Sequence, residues 1–253
     1  MLLNVNFKSY VLGMDCSANV ILPQSSPEKT IKKPLKTLYL LHGLSDDYTA
    51  WTRWTAIERY AAEYGVAVVM PNAHRSFYSD RKNGGRYFMF VSDELITVME
   101  EMFPLSNKRE ERYAAGLSMG GYGAMKLGLA CPEKFSVAAS LSGALDIFGR
   151  LAAAETGLKD EFAYILDYPE EERQKADLFL LAEKLNNSNK PKPRIYAWCG
   201  TEDFLYQDNV KFRKAIEKMD FDFKYEESPG DHSWGYWDLK IQTVLKFIFN
   251  QTS

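Results

Sequence analysis

The chain has 253 residues, 46% hydrophobic and 26% charged, enough apolar material for one large domain or two small ones. Its formal net charge is −3 with no long basic run, so nothing electrostatic points to nucleic acid. No apolar run approaches the roughly 18 residues of a membrane span, and the N-terminus lacks the basic and apolar regions of a signal peptide.

In chain order, Tyr10–Pro23 reads as antiparallel strands and Pro23–Pro34 as a polar break. Short apolar runs then predict buried strands at Thr37–Gly43, which Gly ends, and at Val66–Pro71, Arg112–Leu117, Ser136–Gly143 and Arg194–Gly200. A sixth, more alternating strand is expected over Phe221–Gly230. Helical patterns fill the gaps. "AIERYAAEYG" ends on Gly65, the expected C-cap, and "SDELITVMEEMFP" starts on Ser92 with acidic residues in its first turn and stops at Pro104. "YGAMKLGLA" is terminated by Pro132, and the segments from Tyr206 and from Trp234 are amphipathic. Strand and helix alternate, so the fold class is α/β, one domain over 1–253 with a mostly parallel sheet covered by helices on both faces. Ala144–Pro193 has helical signals but no strand. It reads as a small helical, cap-like insertion leaving the sheet edge where ligands bind.

Three cysteines, Cys16, Cys131 and Cys199, lie far apart without a CxxC pattern. That argues against a disulfide framework or a structural zinc site and fits a reducing, cytoplasmic setting.

"GLSMG", Gly116–Gly120, matches G-x-S-x-G between a predicted strand and a predicted helix. In such a turn the serine takes unfavourable backbone geometry, so the positions two away must be small; Gly116 and Gly120 meet this. Ser118 then stands at a helix start, where backbone N–H groups favour developing negative charge. A serine hydroxyl needs a base. Of the three histidines only His232 follows Ser118, in the Gly/Pro loop "SPGDHSWGYW". The order Ser, acid, His of this elbow asks for a carboxylate between them. Asp203, just past the Arg194–Gly200 strand, is the first choice and Asp208 the second; Asp208 also suits a turn or cap. Backbone N–H groups of Met119 and Leu44 are expected to form the oxyanion hole. His42 reads as a brace for the Leu44 loop, and His74 as a support at the mouth of the site. Trp51, Trp54, Phe148, Tyr206 and Trp234 lie beside these loops and either wall a pocket or pack in the core.

Together "LLHGLSDDYTAW", "PNAHRSFYSD", "GGRYFMFVSDEL", "AAGLSMGGYGAMKLGLACPEKF", "GTEDFL" and "DHSWGYWD" resemble the esterase D group of α/β-hydrolases over nearly the whole chain. The nearest sub-group is the bacterial tributyrin-esterase-like acyl esterases, related to S-formylglutathione hydrolases. The resemblance implies the α/β-hydrolase fold, Ser118, Asp203 and His232 as nucleophile, acid and base, and Leu44 and Met119 at the oxyanion positions. It implies hydrolysis of short-chain acyl esters without a cofactor, often as a homo-oligomer. No stretch marks a long lipid tunnel and none a metal site, so acetyl to butyryl groups on a small alcohol or a sugar are expected, with no metal. The glutathione hydrolases of the group carry an "SGLTC"-like loop where this chain has "HGLSDD", a departure that favours carboxylic esters over thioesters. A thioesterase, or an acyltransferase on the same fold, is the alternative.

Overall fold

The computed structural model describes residues 1–27, 29–81, 84–153 and 174–249. The sheet has eight strands: β1 (Leu2–Ser9), β2 (Met14–Ile21), β3 (Thr37–Leu41), β4 (Ala67–Pro71), β5 (Arg112–Leu117), β6 (Val137–Leu141), β7 (Arg194–Gly200) and β8 (Phe223–Ser228). Their order is β1-β2-β4-β3-β5-β6-β7-β8. β1, β2 and β4 pair antiparallel, and every pairing from β4 to β8 is parallel.

Continuous burial of β3 through β6 explains their unbroken apolar sequences: a strand covered on both faces has no solvent side to mark with polar residues. Successive side chains still point to opposite faces. Tyr39 and Leu41 enter one core with Met125, Phe135, Ile195 and Phe212. Leu38 and Leu40 enter the other with Trp51, Trp198, Trp237 and Ile241.

Two short helices, α1 (Ala50–Trp54) and α2 (Ile57–Tyr64), follow β3, and Gly65 caps α2 in the left-handed region. α3 (Tyr87–Met89) runs through a π-helical turn, Phe90–Glu94, into α4 (Leu95–Met102). α5 (Met119–Ala130) leaves β5, and α6 (Ile147–Ala153) and α7 (Leu178–Asn186) lie between β6 and β7. α8 (Tyr206–Ile216) and α9 (Trp234–Phe249) complete the chain.

Two sequence expectations are corrected. The first strand is Leu2–Ser9, upstream of the stretch read as strand, and Tyr10–Gly13 is the turn; Gly13 has φ +70°. The helix expected from Ser92 starts at Tyr87 instead, because Phe90 and Val91 are buried and draw the helix upstream. Ser92 lies inside the widened turn, where its carbonyl accepts from Lys134 Nζ at 2.9 Å. Between β6 and β7, the described part of the expected insertion contains α6 and α7 and no strand, with Asp177 as the N-cap of α7, while residues 154–173 fall outside the description.

Candidate active site

β5 enters α5 through Ser118, whose φ is 53° and ψ −118°. A side chain pays a steric penalty there, and the surrounding structure must hold it. It does: the Ser118 N–H donates to Leu141 O at 3.0 Å, and the Ser118 carbonyl accepts from Tyr122 and Ala144 N–H, both at 3.1 Å. A Cβ on Gly116 would lie 2.4 Å from the Gly120 carbonyl group, and one on Gly120 would lie 2.3 Å from Leu41 O. Both glycines are thus required by close backbone approach. The Gly120 contact also sets the start of α5 against the end of β3, beside the turn that carries Leu44.

Three side chains from three loops meet at this elbow. His232 Nε2 lies 3.0 Å from Ser118 Oγ, and His232 Nδ1 lies 2.8 Å from Asp203 Oδ2. A carboxylate facing Nδ1 holds the proton on that nitrogen and leaves Nε2 to accept from the serine hydroxyl. Asp203 is 5% exposed and its other oxygen accepts from Leu205 N–H at 2.8 Å. Burial pushes this carboxyl up, but hydrogen bonds from His232, Leu205 and Ser142 outweigh it and hold Asp203 below its ordinary range. Asp208 is committed elsewhere: it pairs with Arg150 Nε at 2.5 Å, and burial raises its carboxyl.

The loops that carry Asp203 and His232 are tied to each other. Glu202 N–H donates to Gly230 O at 3.1 Å, and Gly230 N–H donates to the Glu202 carboxylate at 2.5 Å. Gly230 has φ +156°, and a Cβ on Gly200 would lie 2.0 Å from the Gly230 carbonyl oxygen. The imidazole rests edge-on against Trp237, with centroids 4.9 Å apart, and the Trp237 indole donates to Ser142 Oγ at 3.2 Å.

His42 does not reach the serine. It is 1% exposed, with Nδ1 2.7 Å from Gly43 O, while Nε2 accepts from Ala73 N–H at 2.9 Å. These partners select one neutral tautomer, and burial pulls its pKa down to about 4. His42 thereby bolts the Leu44 turn to the loop after β4. That loop contains left-handed φ values at His74, Phe77 and Tyr78. Lys126 holds it from below, donating to Tyr78 O and Ser79 Oγ, both at 3.2 Å. Burial lowers the Lys126 ammonium to about 7. His74 lines an open groove of about 540 Å³ with Leu44, Ser45, Asp46 and Tyr87.

Leu44 lies in the turn closed by Asp46 N–H on Gly43 O at 3.2 Å. Met119 is the first residue of α5; its side chain is fully buried and its Sδ accepts from Phe77 N–H at 3.3 Å. Of the aromatic residues expected to wall the pocket, Trp51 is a correction. It is 1% exposed, its indole donates to Leu41 O at 3.0 Å, and it packs in the core because that carbonyl satisfies its N–H. Trp234 is half-buried and meets Trp51 and Trp237 edge-on. Phe148 is half-buried against the core of the α5 face, and the half-buried Tyr206 donates its hydroxyl to Glu227 at 3.1 Å. Two residues beside the site were not singled out from the sequence: Phe204, inside the "GTEDFL" stretch, whose ring centroid is 4.5 Å from that of His232, and Ser142, with φ 48°.

The model of the Esterase family matches residues 9–248. The chain belongs to that family. The acetyl esterase of Caldicellulosiruptor saccharolyticus is 33% identical over 98% of this chain and 97% of its own. Among solved structures, FphF, a fluorophosphonate-binding serine hydrolase of Staphylococcus aureus in a substrate-bound state, superimposes with a TM-score of 0.88 at 35% identity over 99% of both chains. The S-formylglutathione hydrolase FrmB of Staphylococcus aureus superimposes with a TM-score of 0.86 at 35% identity, again over 99% of both. This esterase has the α/β-hydrolase fold expected from its sequence, and it is a carboxylic ester hydrolase of the serine type. No helix among its described residues is long and apolar enough to cross a membrane. Among the same residues, no three His, Cys, Asp or Glu side chains cluster as a metal site, and Cys16, Cys131 and Cys199 are buried free thiols.

Proposed function

We propose that this esterase cleaves short-chain acyl esters, acetyl to butyryl, through an acyl-enzyme on Ser118. The observation that carries the reading is the unbroken hydrogen-bonded chain from Ser118 Oγ through His232 to Asp203. As Ser118 Oγ attacks the carbonyl carbon, its proton passes to His232 Nε2. Asp203 keeps Nδ1 protonated and stabilises the imidazolium that forms. The oxyanion rests on the N–H groups of Met119 and Leu44, the first at the start of α5 and the second in the adjoining turn. His232 then gives its proton to the departing alcohol oxygen. Water, activated by the same imidazole, releases the acid and restores Ser118. The acetyl esterase relative and the "HGLSDD" loop favour a carboxylic ester of a small alcohol or sugar.

The second reading is a glutathione thioesterase, favoured by the likeness to FrmB. One experiment tests both: kcat/KM for nitrophenyl acetate, butyrate, octanoate and laurate, and for S-formylglutathione, on the wild-type protein and on Ser118→Ala. Highest turnover on acetate to butyrate, lost in Ser118→Ala, is the expected result. Best turnover on laurate refutes the chain-length assignment, preference for S-formylglutathione selects the thioesterase, and substantial activity in Ser118→Ala refutes the nucleophile.

A further inference from the structure

The imidazole of His232 lies against two aromatic rings that differ sharply in exposure. Trp237, 4% exposed, belongs to the core. Phe204, 64% exposed, tilts against the imidazole at 53° with centroids 4.5 Å apart. A phenylalanine left mostly in water forgoes the burial that holds the other aromatic residues near this site.

Phe204 is nevertheless anchored. Arg150, from α6, donates from Nη2 to the Phe204 carbonyl at 2.6 Å, and its guanidinium carbon lies 5.5 Å from the ring centroid. The same guanidinium is fixed by its pair with Asp208 at 2.5 Å. An exposed apolar ring held in place is a preorganised contact surface, because little freedom is lost when a ligand meets it.

Its position relative to the chemistry says which half of an ester it meets. His232 Nε2 must come within hydrogen-bond reach of the departing alcohol oxygen to protonate it. The substituent on that oxygen therefore extends into the solvent-facing space around the imidazole, which Phe204 flanks. The acyl group stays on Ser118 Oγ. Resting on the reading of Ser118 as nucleophile, we propose that Phe204, clamped by Arg150, is the binding surface for the alcohol half of the ester. We further propose that the alcohol presents a flat apolar face, either an aryl ring or the C–H face of a pyranose. Rings of that kind gain from packing on an aromatic side chain, whereas a short linear alcohol offers no matching face.

The test compares kcat/KM for phenyl acetate, an acetylated methyl xylopyranoside and ethyl acetate in the wild-type protein, Phe204→Ala, Phe204→Leu and Phe204→Tyr. Taking each variant relative to wild type cancels the intrinsic reactivity of each leaving group. The expected result is a loss in Phe204→Ala roughly three- to tenfold larger for the two ring-bearing esters than for ethyl acetate. Phe204→Tyr should restore the preference. Phe204→Leu should lose it too, and stands in if the alanine variant fails to fold. The acidic limb of the pH profile should stay in place. An equal loss on all three esters, or a displaced acidic limb, would make Phe204 a positioning residue for His232 and overturn the proposal; so would unchanged values throughout. Fluorophosphonate labelling of Ser118 separates the two readings. No labelling of the wild-type protein defeats the acyl-enzyme mechanism itself, whereas normal labelling with an unchanged ester preference defeats only the assignment of Phe204.

Discussion

His42 should make the folded state sensitive to mild acid. Its Nε2 already accepts the Ala73 N–H at 2.9 Å, so a proton added there would face another donor inside the core. Burial, the larger effect, pulls the pKa down to about 4. In the unfolded chain the imidazole protonates at its ordinary value of about 6.5. Between these values the unfolded state binds more protons, so stability falls as the pH falls from about 6.5 towards 4. The full loss is about 3 kcal/mol, and about 2 kcal/mol of it is reached at pH 5. Urea unfolding followed by tryptophan fluorescence, from pH 7.5 to 4.5, measures this against His42→Gln. The variant is less stable at neutral pH, because a glutamine cannot serve both Gly43 O and Ala73 N–H with the same geometry. The gap between the two proteins should narrow by about 2 kcal/mol on going to pH 5. Carboxylates titrating in the same range affect both proteins alike and cancel in the difference. A gap that does not change with pH would refute the neutral, buried imidazole.

Two further substitutions probe the site. Asp203→Asn should leave the fold intact and lower kcat about 10³- to 10⁴-fold, because an amide donor facing Nδ1 puts the proton on Nε2 and blocks it as a base; steady-state assay on nitrophenyl acetate reads the loss, and a loss under tenfold would remove Asp203 from its role. Gly120→Ala places a methyl group 2.3 Å from the Leu41 carbonyl oxygen, at the junction of β3 and α5. It should cost about 2–4 kcal/mol and lower the melting temperature by roughly 5–15 °C in calorimetry; a neutral result would contradict the close approach of these two backbones.

The three side chains that meet at the elbow were legible from the sequence because each sits in a short local pattern. Ser118 lies in a glycine-rich strand-to-helix turn, Asp203 follows directly on an apolar strand, and His232 is the sole histidine after the serine. Chain order then joined them across more than a hundred residues. Strand identity was also legible where burial is continuous, as in β3 and β5. Placement failed where packing overrides local signals. Acidic residues and a serine suggested a helix start at Ser92, but buried Phe90 and Val91 extend the helix upstream through a π-helical turn.

The sequence by itself therefore determined the fold class and picked out Ser118, Asp203 and His232 as the candidate set, because hydrophobic periodicity and turn chemistry are properties of neighbouring residues. Tertiary structure decided how each aromatic and polar side chain is used. Trp51 belongs to the core because a carbonyl ten residues back satisfies its indole. Asp208 is set apart from Asp203 by Arg150, fifty-eight residues earlier. Phe204 stands exposed beside His232 because the same arginine holds it there. Those assignments depend on distances between segments remote in the chain, and no local pattern carries them.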